Sequence, residues 1–166
     1  MCQEPLEEVM AAVDFPVYGL PEEVFGLRYS RYSSSRPYPS NQRVALVYQS
    51  ERHIPFLHER LHKNVTFSVS SSRVHRCGRP IHSIGGYTLR EDGSQLFVFY
   101  GSLTIDGEQF MGNFTSYLAP AFDTSYGLFK GRMVLQGGAC GLHPDELIQV
   151  LQSLRVLNGK AVKSSC

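Results

Sequence analysis

Apolar and polar residues alternate most regularly around Asp106-Gly107, a dipeptide typical of two-residue β-hairpin turns in which both residues have positive φ. This turn predicts that Phe99 pairs with Phe114 and that Leu103 pairs with Phe110. One face of the hairpin then carries Phe97, Phe99, Leu103, Phe110 and Phe114. The opposite face carries Leu96, Val98, Tyr100, Ser102, Thr104, Asn113, Thr115 and Tyr117. The first set predicts a core face, and the second predicts a mixed face that is apolar enough to bury against a partner.

Three further segments have strand character. Val65, Phe67 and Val69 alternate with polar residues, as in a half-buried strand. The turn dipeptide Asp92-Gly93 predicts a strand over Gly86–Arg90 that pairs with the hairpin, and residues 126–136 predict one more strand. Together these segments predict an antiparallel sheet.

Helical periodicity marks both ends of the chain. Leu6, Val9, Met10 and Val13 repeat at helical spacing after Pro5, with acidic residues in the first turn. A second helix is predicted over residues 144–158, with Pro144 in its first turn and Asn158-Gly159 as its stop. A shorter helix is predicted over residues 51–63, and the Ser- and Pro-rich residues 28–42 predict a loop. The fold class that follows is α+β, an antiparallel sheet with helices on one face.

Composition supports one globular domain over residues 1–166. Hydrophobic residues make up 42% of the 166 residues, which is enough for a real core. Within the domain, residues 1–42 are expected to form an acidic helix and an irregular segment rich in Ser, Pro, Arg and Tyr. Residues 43–158 are expected to form the helix-plus-sheet core.

The net charge of +1 hides an asymmetry along the chain. Residues 1–23 contain acids and no Lys or Arg, whereas residues 24–80 are strongly basic. The basic stretch interleaves Arg28, Arg31, Arg36 and Arg43 with Tyr29, Tyr32, Tyr38 and Tyr48. Arginines among aromatic residues suit phosphate contact and base stacking, so RNA contact through residues 24–80 is one interpretation. The other interpretation is that the acidic N-terminal segment packs near the basic stretch.

Cysteine usage and the first residues indicate a compartment. Cys2, Cys77, Cys140 and Cys166 are widely scattered, which predicts free thiols in a reducing environment. The acidic start lacks the basic and apolar regions of a secretory signal, and no apolar run is long enough to cross a membrane. An intracellular protein, nuclear or cytoplasmic and without membrane contact, is therefore expected.

Two arrangements raise the question of zinc. His58-Glu59-Arg60-Leu61-His62 matches H-E-x-x-H on a predicted helix, in which two histidines bind zinc and the glutamate is the general base. Against this hypothesis, no third histidine follows at the expected spacing. Apolar residues also occupy one face of the predicted helix, which favours packing against a core. His75, Cys77 and His82 supply three ligands, whereas structural zinc sites need four. Since no glycine-rich nucleotide motif is present either, the sequence predicts no bound cofactor.

A resemblance rests on the block DGSQLFVFYGSLTIDGEQFMGNFTSYLAPAFDTSYGLFKGRMVLQ and on the preceding IPFLHERLHKNVTFSV. The first resembles the sheet of the nuclear transport factor 2-like superfamily, with an Asp-Gly hairpin and a Phe-centred strand that closes near Ala-Pro. The second is similar to that family's short third helix running into a strand. Within the superfamily, the layout is most similar to the domain of messenger-RNA export receptors and their small partner subunit. The match covers about residues 54–136.

The resemblance implies a curved, cone-like sheet with helices on one face and a related subunit docked on the other. It implies a non-enzymatic interaction domain, a homo- or heterodimer, that serves nucleocytoplasmic transport of messenger RNA. The docking residues would be Leu96, Val98, Tyr100, Thr115 and Tyr117. Two alternatives stay open: a zinc-dependent hydrolase that uses His58, Glu59 and His62, and a small-ligand-binding or enzymatic member of the same fold.

Overall fold

Antiparallel strands dominate the computed structural model, which describes residues 4–34, 43–53, 64–73, 85–89, 95–117 and 123–161. Two helices lie near the chain ends, α1 (Leu6–Ala12) and α2 (Pro144–Gln152). The strands are β1 (Tyr18–Gly19), β2 (Arg28–Ser34), β3 (Arg43–His53), β4 (Asn64–Arg73), β5 (Gly85–Leu89), β6 (Gln95–Ile105), β7 (Glu108–Tyr117), β8 (Asp123–Lys130), β9 (Met133–Cys140) and β10 (Arg155–Val156).

Eight of these strands form one antiparallel sheet, and β1 and β10 form a separate pair. The order across the large sheet is β2-β3-β4-β9-β8-β7-β6-β5. Strands β5 to β9 follow one another in sequence, and β9 then returns to pair with β4. The described part of the chain is thus α+β, with the sheet as its main component.

The core lies against one face of the sheet. Val65, Phe67 and Val69 of β4 are fully buried, which confirms the alternation predicted for this strand. The two helices add Val9, Leu147, Val150 and Leu151 to the same buried cluster. Since burying one such side chain stabilises the fold by about 1.5–3 kcal/mol, this face is the main source of stability.

The predicted hairpin is confirmed in turn and in register. Asp106 and Gly107 have φ values of 50° and 79°, and Phe99 lies opposite Phe114. Leu103 and its partner Phe110 are buried, whereas Ser102 and Thr104 are exposed. The strand alternation therefore separates a core face from an outer face, and "outer face" below means the sheet face opposite the core.

The terminal helices begin where the sequence predicts, but the second ends early. Helix α1 begins after Pro5, and α2 begins at Pro144 with His143 and Glu146 forming a capping box. The helix predicted over residues 144–158 is wrong beyond Gln152. Residues 155–156 instead pair with β1, because the buried N-terminal strand needs a hydrogen-bonding neighbour.

Three other predictions need correction. Residues 28–34 of the predicted loop form strand β2, whose partner β3 supplies regular backbone pairing despite the weak apolar pattern. Residues 51–53 of the predicted helix over 51–63 extend β3, so that helix is wrong at its start. The strand predicted over residues 126–136 is two strands, because Gly131, with φ of 59°, turns the chain between β8 and β9.

Several predicted features lie outside the described residues. They are the remainder of the 51–63 helix with His58, Glu59 and His62, the cluster of His75, Cys77 and His82, the turn at Asp92-Gly93, and Arg36 and Tyr38.

Candidate binding face and groove

The strand register brings the predicted docking residues together on the outer face. Leu96 lies opposite Tyr117 and Val98 lies opposite Thr115, while Tyr100 pairs with Asn113 of the same face. Their positions share the face of Ser102 and Thr104, which are exposed. The register predicted for these positions is therefore confirmed, and it gives all of them the outer face.

The register also carries this face across the whole sheet. One line of neighbouring positions, called here the Ser68 row, runs through Arg31, Val47, Ser68, Gly138, Ser125, Thr115 and Val98. A second line, the Thr66 row, runs beside it through Arg28, Gln49, Thr66, Cys140, Asp123, Tyr117 and Leu96. Two predicted arginines thus lie on the same face as the predicted docking residues.

A groove of about 520 Å³ lies on the β2–β8 side of these rows. Its lining mixes hydroxyl and amide side chains with apolar groups such as Val47, and a charged residue lies at each side. The lining residues are Arg31, Val47, Gln49, Thr66, Phe67, Ser68, Asp123, Thr124, Ser125, Gly138, Ala139 and Cys140. Such a mixed surface suits a ligand or chain that combines several hydrogen bonds with apolar contact.

The floor of the groove lies where the backbone pairing between β4 and β9 is interrupted. Hydrogen bonds from side chains connect the two strands there. Ser68 Oγ accepts a hydrogen bond from Gly138 N at 3.0 Å and donates one to Gly138 O at 3.3 Å. From the core side, the Tyr126 hydroxyl donates to Ser68 O at 2.6 Å. These bonds replace the missing ladder and fix the position of Ser68.

Tyr126 reaches Ser68 because the strand between them carries a glycine. A Cβ on Gly137 would lie 2.2 Å from Ser68 O and 3.0 Å from the Tyr126 hydroxyl, so no other residue fits there. The Tyr126 ring stacks on Phe67, with ring centroids 6.1 Å apart and planes 7° apart. Burial raises the pKa of Tyr126 well above its ordinary value, so the hydroxyl remains a hydrogen-bond donor.

The three predicted basic residues that the structure describes do not form one cluster. Arg31 lines the groove and makes no ion pair with any residue in the described ranges. Arg28, at the end of the Thr66 row, pairs with Glu23 at 2.9 Å. Arg43 lies at the first position of β3, away from the groove lining.

The acidic N-terminal segment does pack near the basic stretch. Besides the Glu23–Arg28 pair, Asp14 Oδ2 lies 2.6 Å from Arg73 Nη1. The Tyr32 hydroxyl donates to the Glu4 backbone oxygen on the core side of β2. Part of the basic character in residues 24–80 is therefore neutralised by residues 1–23.

Metal ligands do not gather within the described ranges. No group of three His, Cys, Asp or Glu side chains is close enough there to hold an ion. Cys140 is a half-buried cysteine at the groove, and the other three cysteines lie outside the described residues.

The sequence analysis missed the groove residues of β3, β4, β8 and β9. One signal was available, because Thr66, Ser68 and Ser70 alternate with the apolar residues that identified β4. Small polar residues at every second position of a half-buried strand indicate a face that is open or in contact with a polar ligand.

Comparisons with protein-family models, with curated proteins and with solved structures found no match. Within the described part of the chain, neither helix is long and apolar enough to span a membrane.

Proposed function

We propose that this protein is a non-enzymatic binding module that docks a protein partner, a second copy or a related subunit, on the outer face of its sheet. The observation that carries the proposal is the register, which gives Leu96, Val98, Thr115 and Tyr117 one continuous face with the groove. Docked subunits commonly bury a mixed patch of apolar and polar residues.

The proposal includes a curved sheet with helices on one face and the outer face concave. A gradient of burial along the outer face supports it. Ser102 and Thr104 are exposed, Thr66 and Ser68 are half-buried, and Ser70 is buried. In a concave face, residues near the centre are shielded by those on neighbouring strands.

The nuclear transport factor 2-like resemblance supplies the biological part of the proposal. It suggests a role in nucleocytoplasmic transport, in the nucleus or the cytoplasm, with a related subunit as the partner. The mixed apolar and polar sequence at the outer-face positions of β6 and β7 supports this proposal, since a docking face must remain soluble before its partner binds.

A small-ligand-binding role is the second candidate, and the groove is the observation that favours it. Its volume of about 520 Å³ falls within the range of small-molecule sites. The two functions are compatible, because the groove and the predicted docking residues occupy different parts of the same face.

Val98→Asp tests the docking proposal. A carboxylate buried without a partner in an interface is strongly penalised, so dimerisation or partner binding should weaken by roughly tenfold or more. Sedimentation or light scattering should show the mass falling from dimer to monomer, with an unchanged circular dichroism spectrum. Thr104→Asp, on the exposed part of the same strand, is the matched control and should leave the mass unchanged.

A second variant guards against a folding artefact. Thr115→Asp alters the cross-strand neighbour of Val98 and should give the same loss of association. If both variants unfold the chain, this part of the face belongs to the core and the proposal is wrong. A wild-type protein that is monomeric and binds no partner would also contradict it.

A further inference from the structure

The groove is an elongated site that runs across the strands. It extends from Arg31 on β2 over β3, β4 and β9 to Asp123 and Ser125 on β8. Four spacings between neighbouring strands correspond to roughly 19 Å. An extended peptide of about six residues covers the same distance.

A β-bulge turns Arg31 into this groove. Arg28 pairs with Gln49 on the outer face and Tyr29 pairs with Tyr48 on the core side. Regular alternation would place Arg31 on the core side as well, but the register shifts between Tyr29 and Arg31. The extra residue brings Arg31 opposite Val47, on the outer face, which is the kind of re-aiming that bulges perform beside functional sites.

The two ends of the groove carry opposite charges. Arg31 and Asp123 are both exposed, and neither forms an ion pair with a residue that the structure describes. Between them lie the hydroxyls of Thr66, Ser68 and Ser125. The acidic side chains of α1 lie near Tyr29 and Tyr32, which are at core-side positions of β2. Arg31 lies on the opposite face, so these acids do not screen its charge from a ligand in the groove.

We infer that the groove binds an extended peptide segment of the partner, with an acidic side chain at Arg31 and a basic side chain at Asp123. The inference rests on the proposed docking function and names the part of the partner that the groove recognises. Small polar residues between the charged ends fit the hydroxyl-lined floor. The charge pattern selects against peptides with two ends of the same sign.

Three capped hexapeptides test this inference on the full-length protein. All share a Ser-Gly-Ser-Gly interior, and their end residues are Asp and Lys, two Asp, or two Lys. An NMR titration should show the Asp/Lys peptide binding roughly three- to fivefold more tightly than either of the others, as exposed ion pairs allow.

Charge reversal at each end gives the decisive comparison. Arg31→Glu should shift the preference to the Lys/Lys peptide, and Asp123→Lys should shift it to the Asp/Asp peptide. The double variant should prefer Asp/Lys again. Arg132→Glu reverses an exposed charge in the β8–β9 turn, outside the groove, and should leave the preference unchanged.

Equal affinity for the three peptides, or no binding, overturns the inference. So does tighter binding of hexauridylate that is lost in Arg31→Glu, since the groove would then select RNA. These failures are distinguishable from failure of the docking proposal. If the peptides fail while Val98→Asp still dissociates the dimer, the docking face remains and only the groove's ligand is wrong.

Discussion

The hydroxyl of Tyr18 lies inside the core and has no hydrogen-bond partner among the described residues. Its ring meets Phe110 edge-on, with centroids 5.6 Å apart, and its backbone N–H donates to Ser71 Oγ at 2.9 Å. Burial and then the charges of Asp106 and Glu108 raise its pKa above the ordinary value of 10.0. The ring contact and the backbone hydrogen bond of Tyr18 therefore stabilise the folded state, whereas its buried hydroxyl destabilises the folded state.

Tyr18→Phe should raise the free energy of unfolding by about 1 kcal/mol, because it removes a buried polar group that lacks a partner. Urea unfolding at neutral pH measures this as a higher midpoint with an unchanged slope. Tyr48→Phe is the matched control, since the Tyr48 hydroxyl accepts a hydrogen bond from Leu20 N at 2.9 Å. That variant should lose about 1–3 kcal/mol. Destabilisation by Tyr18→Phe would show that its hydroxyl is in fact satisfied.

Among the elements, Asn158 reinforces the pairing of β1 with β10 by three side-chain hydrogen bonds. Asn158 Nδ2 donates to the carbonyls of Met10 and Phe15 at 2.9 and 3.2 Å, and Asn158 Oδ1 accepts from Val17 N at 3.1 Å. The adjacent Leu157 N–H donates to Val17 O at 2.8 Å. These bonds hold α1 and β1 against the C-terminal segment.

Asn158→Ala should therefore lower the free energy of unfolding by about 2–3 kcal/mol, close to 1 kcal/mol for each lost bond. Hydrogen exchange should show faster opening of the Val17 and Leu157 amides, before the amides of the large sheet. Gln152→Ala, at an exposed position near the end of α2, should change little. An unchanged exchange rate at Val17 in Asn158→Ala would contradict this role.

Elements with a strong local signal were predictable from the sequence, and those defined by distant partners were not. The Asp106-Gly107 turn fixed the β6–β7 register, because both residues have positive φ. The helix at 144–158 was overextended because the buried Leu154 continues its apolar stripe, while the pairing of Arg155 with Gly19 is a long-range contact.

The same distinction applies to the candidate site. The outer-face positions of Val98 and Thr115 followed from one local turn. The place of Arg31 depends on a bulge and on pairing with β3, and neither leaves a periodic pattern in the sequence. The bulge breaks the alternation by which β2 could have been recognised.

One buried hydrophobic cluster joins both terminal segments of the described chain to the large sheet. It includes Val9 and Phe15 near the N-terminus, the central strands of the large sheet, and Leu154 near the C-terminus. Three tyrosines of this cluster, Tyr18, Tyr48 and Tyr126, have pKa values raised chiefly by burial. A domain with one shared core is expected to unfold cooperatively.

These tyrosines predict alkaline unfolding. In the unfolded chain each ionises near pH 10, whereas the folded core keeps it protonated to higher pH. The unfolded state then binds fewer protons than the folded state, so stability is fully present below pH 10 and falls as pH rises above it. A tyrosine that stays fully protonated in the folded state contributes a decline that approaches about 1.4 kcal/mol per pH unit above pH 10. Tyr18 and Tyr126, whose pKa values are raised most, are expected to dominate the decline. Urea unfolding at pH 8 to 11 measures the slope, which Tyr18→Phe should make shallower. A free energy of unfolding that stays constant to pH 11 would show that these hydroxyls ionise freely in the folded protein.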